Sequence, residues 1–186
     1  MTAGPGAGMS GGGTWIESTR GPDDEPVCLV TVGPYQSYPS VDEVRQTAID
    51  LVTCAAYAEM IARLMTKVKL PAQTAVAFAD DIMAASGRRF FGTSHTFTMV
   101  PATQRQGRVP VVVMRRGKWD GLLTAEEARG LALAFLAVAE ATESDQLVSD
   151  ALDTAGVSGD AQAMIFALLH AQRSDTPGDL AGEAGE

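Results

Sequence analysis

Between Arg88 and Trp119 lie seven basic side chains and no acidic one: Arg88, Arg89, Arg105, Arg108, Arg115, Arg116 and Lys118. Such a set suits anion recognition, because clustered guanidinium groups bind phosphate or carboxylate through several donors at once. The following segment leans the other way. From Asp120 to Glu186 thirteen carboxylates stand against Arg129 and Arg173 alone, and the whole chain carries a net charge of -9. The positive island can therefore meet an acidic protein surface, a second copy of the chain, its own acidic helices or a phosphate backbone. Phe90, Phe91, Phe97 and Trp119 interleave with the arginines. Aromatic and basic residues alternate in this way where single-stranded nucleic acid stacks on a protein. Phe90, Phe91 and Phe97 serve equally well as core residues.

Other chemistry is thin. Cys28 and Cys54 are too few for a disulfide framework, and neither has a His or Lys nearby in sequence to stabilise a thiolate. Both read as buried reduced thiols. His95 and His170 are the only histidines, and neither has a ligand partner at metal-binding spacing. Asp80-Asp81 could hold a hard cation only with partners from elsewhere. Neither phosphate-binding glycine pattern occurs. No catalytic residue, metal or cofactor is expected. Ala155-Gly156-Val157-Ser158 resembles the turn of a bacterial helix-turn-helix over four residues. Gln162 then falls where that motif buries an aliphatic residue, and 159–172 holds no Arg or Lys to meet phosphate.

The elements that must position these residues follow from patterning. Thr14–Ser18 and Pro26–Val32 are β-rich runs. Ser40 with Glu43 forms a capping box, and small apolar residues at helical spacing carry that helix to about Lys67. Leu70-Pro71 ends it, and a second helix spans about Ala72–Ser86. Ser94–Val100 and Arg108–Met114 read as strands joined by a turn over 101–107. Thr124 with Glu127 is a second capping box. Glu143-Ser144-Asp145 starts a shorter helix, and a last helix covers Gly159–Arg173. The run Val27–Val32 before Ser40 parallels Val109–Met114 before Thr124, although the strand-to-cap spacing differs by about two residues. This admits a duplicated hairpin–helix–helix unit, with half-repeats at about 14–87 and 88–173.

The expected fold is therefore α+β: one domain over 14–173, with a four-stranded antiparallel sheet and helices on one face. Residues 1–13 and 174–186 are Gly-rich or acidic and read as disordered tails. Hydrophobic residues make up 46% of the chain, enough to bury a core. No apolar run reaches the roughly 20 residues of a membrane span, and the N-terminus lacks the pattern of a signal peptide. A cytoplasmic setting is expected. Arginine outnumbers lysine and asparagine is absent, a composition typical of a GC-rich bacterium or its phages. The expected activity is non-enzymatic: a basic hairpin contacting an acidic partner, with nucleic acid as the alternative ligand.

Overall fold

The computed structural model describes residues 13–86, 97–104 and 109–175. Arg88, Arg89, His95, Arg105 and Arg108 lie outside them, as do both expected tails apart from Gly13 and residues 174–175. Six strands and four helices are described: β1 (Thr14–Arg20), β2 (Pro26–Val32), β3 (Tyr35–Ser37), α1 (Val41–Thr66), α2 (Ala72–Ala85), β4 (Thr98–Gln104), β5 (Val109–Arg116), β6 (Trp119–Thr124), α3 (Ala125–Thr154) and α4 (Gly159–Asp175).

The expectation of one four-stranded sheet is overturned. There are two separate three-stranded antiparallel sheets, β1-β2-β3 and β4-β5-β6. The expected hairpins are meanders, because each gains a third strand after a two-residue turn. Gly33 and Gly117 open those turns at φ 56° and 60°. Positive φ at the first central position alone marks a type II′ turn, whose twist returns the chain antiparallel to its own strand. Residues 101–104, expected as a turn, continue β4. Pro101 is tolerated there because β4 is an edge strand and needs no donor on its outer side. The expected break at Glu143-Ser144-Asp145 is also absent. No Gly or Pro lies between Gly130 and Gly156, so nothing interrupts the helical hydrogen-bond ladder.

Residues 13–143 form one compact unit, and Ser144 onwards a second. In the first, alternate residues of the central strands point into one core: Cys28, Val30 and Val32 from β2, Val112 and Met114 from β5. Against them pack Val44, Ala48, Leu51 and Ala55 of α1 and Ala128, Ala132, Phe135 and Ala139 of α3. Alanine at these positions lets helix backbone approach sheet closely, and Leu51 and Phe135 fill what remains. α2 docks on α1 through fully buried Ala75 and Ala79, and the Tyr57 hydroxyl donates to Asp80. Burial, and then that bond to Asp80, hold the Tyr57 phenol above its usual range.

A constant spacing relates the two sheets and their helices. Thr14 and Thr98 begin β1 and β4, Gly33 and Gly117 turn the chain, and Ser40 and Thr124 cap the helices. Each pair is 84 positions apart (117 less 33). The strand-to-cap spacing is thus the same in both halves, and the two-residue difference read from the sequence came from pairing the wrong strand residues. Both capping boxes are complete. The Ser40 amide donates to Glu43 Oε2 at 2.8 Å, and the Thr124 amide to Glu127 Oε2 at 2.7 Å.

Contacts between the halves recur in the same register. Arg45 of α1 donates to Glu140 at 2.7 Å and to Glu143 of α3, while Arg129 of α3 donates to Glu59 of α1 at 2.8 Å. Arg45 and Arg129, like Glu59 and Glu143, are 84 positions apart, so a contact made in one direction is returned in the other. That reciprocity is the signature of an approximate two-fold. It also orders α1 and α3 antiparallel.

In the second unit, Asp145 near the end of α3 is 1% exposed. Its Oδ2 lies 3.1 Å from His170 Nε2 and accepts from Arg173 at 2.9 Å. A buried carboxylate with two basic partners ties α4 to the end of α3. Gly156 (φ 70°) closes α3, and the Val157 amide donates back to the Leu152 carbonyl. Gln162 is buried, and its side-chain amide is satisfied by Asp153 Oδ1 at 2.6 Å and the Val157 carbonyl.

The hydrogen bond from Arg129 and its charge hold the Glu59 carboxyl below its usual 4.5. A carboxylate lowered by folding stabilises the protein above about pH 4.5 and loses that effect as pH falls through its folded value. Glu59→Gln should therefore be less stable than the parent at pH 7, by up to about 1 kcal/mol for so exposed a pair. The difference should shrink as pH falls through the lowered folded value and be lost once Glu59 is protonated in both states. Urea midpoints of both proteins across that range check this.

Candidate functional site

The described part of the basic segment is the β5–β6 turn, and its residues divide by role. Arg116 is half-buried. It donates to Ser37 Oγ at 3.1 Å, and its guanidinium lies 5.7 Å from the centre of the Tyr35 ring. That is within cation–π range. Arg116 therefore spends its charge on the first sheet. Arg115 is 62% exposed by side chain and pairs with Asp120 at 3.2 Å across the strand pair. Lys118 is exposed, and its backbone amide donates to the Tyr35 hydroxyl at 3.3 Å.

Trp119 was expected among the aromatic groups that could stack nucleic acid. It begins β6 instead, half-buried against the core. A Cβ on Gly33 would sit 2.4 Å from its indole, and one on Gly121 would sit 2.3 Å from the far side of the same ring system. Only glycine leaves room for the ring at both places. The counterpart is Tyr35, whose hydroxyl would lie 2.4 Å from a Cβ on Gly117. Gly33 against Trp119 and Gly117 against Tyr35 form a reciprocal clasp between the two turns, again 84 positions apart within each pair of equivalents. Phe97, the other expected platform, is 2% exposed and packs edge-on against Phe135 with ring centres 6.1 Å apart.

The turn that results is packed against the first sheet and leaves Lys118 and Arg115 exposed, the latter in its pair with Asp120. Such packing matters for recognition, because a pre-ordered binding element loses little entropy on association. Tyr35, Ser37 and Gly33 were not singled out from the sequence. The available signal was a repeated Gly-X-aromatic triplet, Gly33-Pro34-Tyr35 and Gly117-Lys118-Trp119, each seven residues before a capping hydroxyl.

The cysteines are free and buried. Cys28 Sγ contacts Thr142 Oγ1 at 3.2 Å. Burial raises its thiol, against the opposing effect of that hydrogen bond. Burial, helped by the charge of Asp50, pushes Cys54 up to about 12. Neither supplies a thiolate nucleophile near neutral pH. Among the described residues no three His, Cys, Asp or Glu side chains converge as metal ligands do. Among them, too, no helix is long and apolar enough to cross a membrane.

Gly33→Ala should destabilise by roughly 1–3 kcal/mol through overpacking against the indole, with left-handed backbone adding to it. Gly130→Ala, at an open position in the second turn of α3, should stabilise by about 0.5–1 kcal/mol. Denaturant midpoints read both. Native protein should also leave Ellman's reagent unreacted at pH 8, whereas two thiols per chain should titrate in urea.

No protein-family model matches this chain, and no curated protein or solved structure matches it either.

Proposed function

We propose that this chain is a non-enzymatic interaction or regulatory protein that presents the β5–β6 turn to an acidic protein surface. One observation carries the reading: Arg115 and Lys118 are exposed on a turn whose flanking Gly117 and Trp119 are locked against the first sheet. The remainder of the chain is strongly acidic, so this turn is a local positive field on a negative molecule. Such fields speed and orient encounter with an opposite surface. Two buried free thiols, arginine-rich composition and the absence of asparagine support a reducing bacterial or phage cytoplasm as the setting. Nucleic acid would use the same charges. Phe97 and Trp119, the aromatic groups it would need to stack on, are occupied in packing.

The test is a tagged pull-down from host lysate, with and without nuclease, comparing wild type, Arg115→Glu/Lys118→Glu and an Asp23→Lys surface control. Arg116 is left intact because its reversal would break the contacts to Ser37 and Tyr35. The expected result is a protein retained after nuclease and lost only with the double variant. Nucleic acid recovered by the wild type and lost in the variant would replace the protein partner with a phosphate backbone. Identical recovery by all three would make the turn ordinary solvated surface.

A further inference from the structure

The outer face of the α1–α3 pair carries apolar side chains that the fold leaves in water. Ile49 is 55% exposed and Val52 43%, on α1; Leu133 is 68% and Leu136 36%, on α3. Ile49 and Leu133 are equivalents 84 positions apart, as are Val52 and Leu136. All four lie on the helix stripe that also holds Arg45 and Arg129, three or four residues or seven residues away. Arg45–Glu140 and Arg129–Glu59 span the two helices at opposite ends of this stripe. An apolar centre is thus framed by charged ends, which is the anatomy of a protein interface.

The charged ends differ. Around Arg45 stand three acids: Asp42, Glu140 and Glu143. The other end has three bases, Arg63, Lys67 and Arg129, against Glu59 and Glu126. Arg63 and Lys67 line a groove of about 600 Å³ together with Ala56, Met60, Leu64 and Val68. Arg45 and Arg63 are eighteen residues apart on one helix, roughly 27 Å at 1.5 Å per residue. The ends are therefore separate fields at physiological salt.

We infer that this face binds a second copy of the chain, in a two-fold dimer whose axis runs perpendicular to α1. Two features select that occupant. The apolar centre has an approximate two-fold of its own, so a second identical face meets both halves of it alike, whereas an asymmetric partner would find two competing orientations. The perpendicular axis lays the acidic end of each copy over the basic end of the other. Asp42 and Glu140 then face Arg63 and Lys67, twice per dimer. A face two helices wide and roughly 27 Å long covers on the order of 500 Å² in projection, with more in relief. A stable interface buries about 800 Å² per partner, so the area is of the right order. This inference does not rest on the β5–β6 turn.

Sedimentation equilibrium of the full chain tests it. Wild type should rise from 19.5 kDa toward twice that mass as concentration increases. Val52→Glu/Leu133→Glu, with an unchanged far-ultraviolet dichroism spectrum, should stay at the single-chain mass. Arg63→Glu/Lys67→Glu, with two acidic ends, and Asp42→Lys/Glu140→Lys, with two basic ends, should each weaken self-association at least tenfold. Mixed in equal amounts they should recover dimer. Wild type that remains a single chain at about 100 µM, well above the dissociation constant of a micromolar dimer, would overturn the inference. So would dimerisation unchanged by Val52→Glu/Leu133→Glu, or charge variants that do not recover on mixing. A different protein from lysate that protects Val52 and Leu133 while the purified chain stays single would overturn it in favour of that partner.

Discussion

The close approach of each turn glycine to an aromatic ring of the other sheet is the constraint on which this structure depends. A three-stranded sheet of three- to eight-residue strands cannot cover both its faces. Each of these sheets shares a single core with α1 and α3 instead. The sharing holds only if the sheets are fixed relative to one another, and Trp119 over Gly33 with Tyr35 over Gly117 fixes them. The side chains are large and stiff, and the sites that receive them have no Cβ to yield. The arrangement therefore permits few alternatives, which is what specifies one structure over its competitors.

That clasp also decides what becomes of the basic segment. A charged turn on a free hairpin would be solvated and mobile. Here Arg116 is drawn to Ser37 and Tyr35, and the turn is pinned on both sides. Arg115 and Lys118 are left outward. Residues that looked equivalent in sequence thereby divide into one that builds the fold and two that remain for contact. Trp119 and Phe97 are withdrawn from the surface by the same packing.

Reciprocity runs through the first unit. The salt bridges Arg45–Glu143 and Arg129–Glu59 return one another, as the glycine–aromatic contacts do. Shape repeats more faithfully than charge. Lys67 and Arg63 have no basic equivalents in α3, whose matching positions are Ala151 and Leu147, and Glu140 matches Ala56. A face that is nearly symmetric in shape and unlike in charge at its two ends can orient a neighbour as well as hold one.

Local chemistry determined what could be read without coordinates. Strand β2 matches its alternating run residue for residue, the capping boxes at Ser40 and Thr124 start the helices, and Pro71 ends α1's surroundings where it should. Each is a decision among near neighbours: a hydroxyl and an amide three residues apart, or a ring that blocks a turn of helix. Strands β3 and β6 were missed because three to six residues after Gly-Pro or Gly-Lys carry no pattern of their own. They become strands only because a type II′ turn returns them to β2 and β5. The division into two sheets and the division of the arginines between fold and surface were decided by tertiary structure. In each case the free energy lies in partners distant in sequence, such as Gly33 for Trp119 or Tyr35 for Arg116. Such pairings leave no mark on the local propensities from which a chain is read.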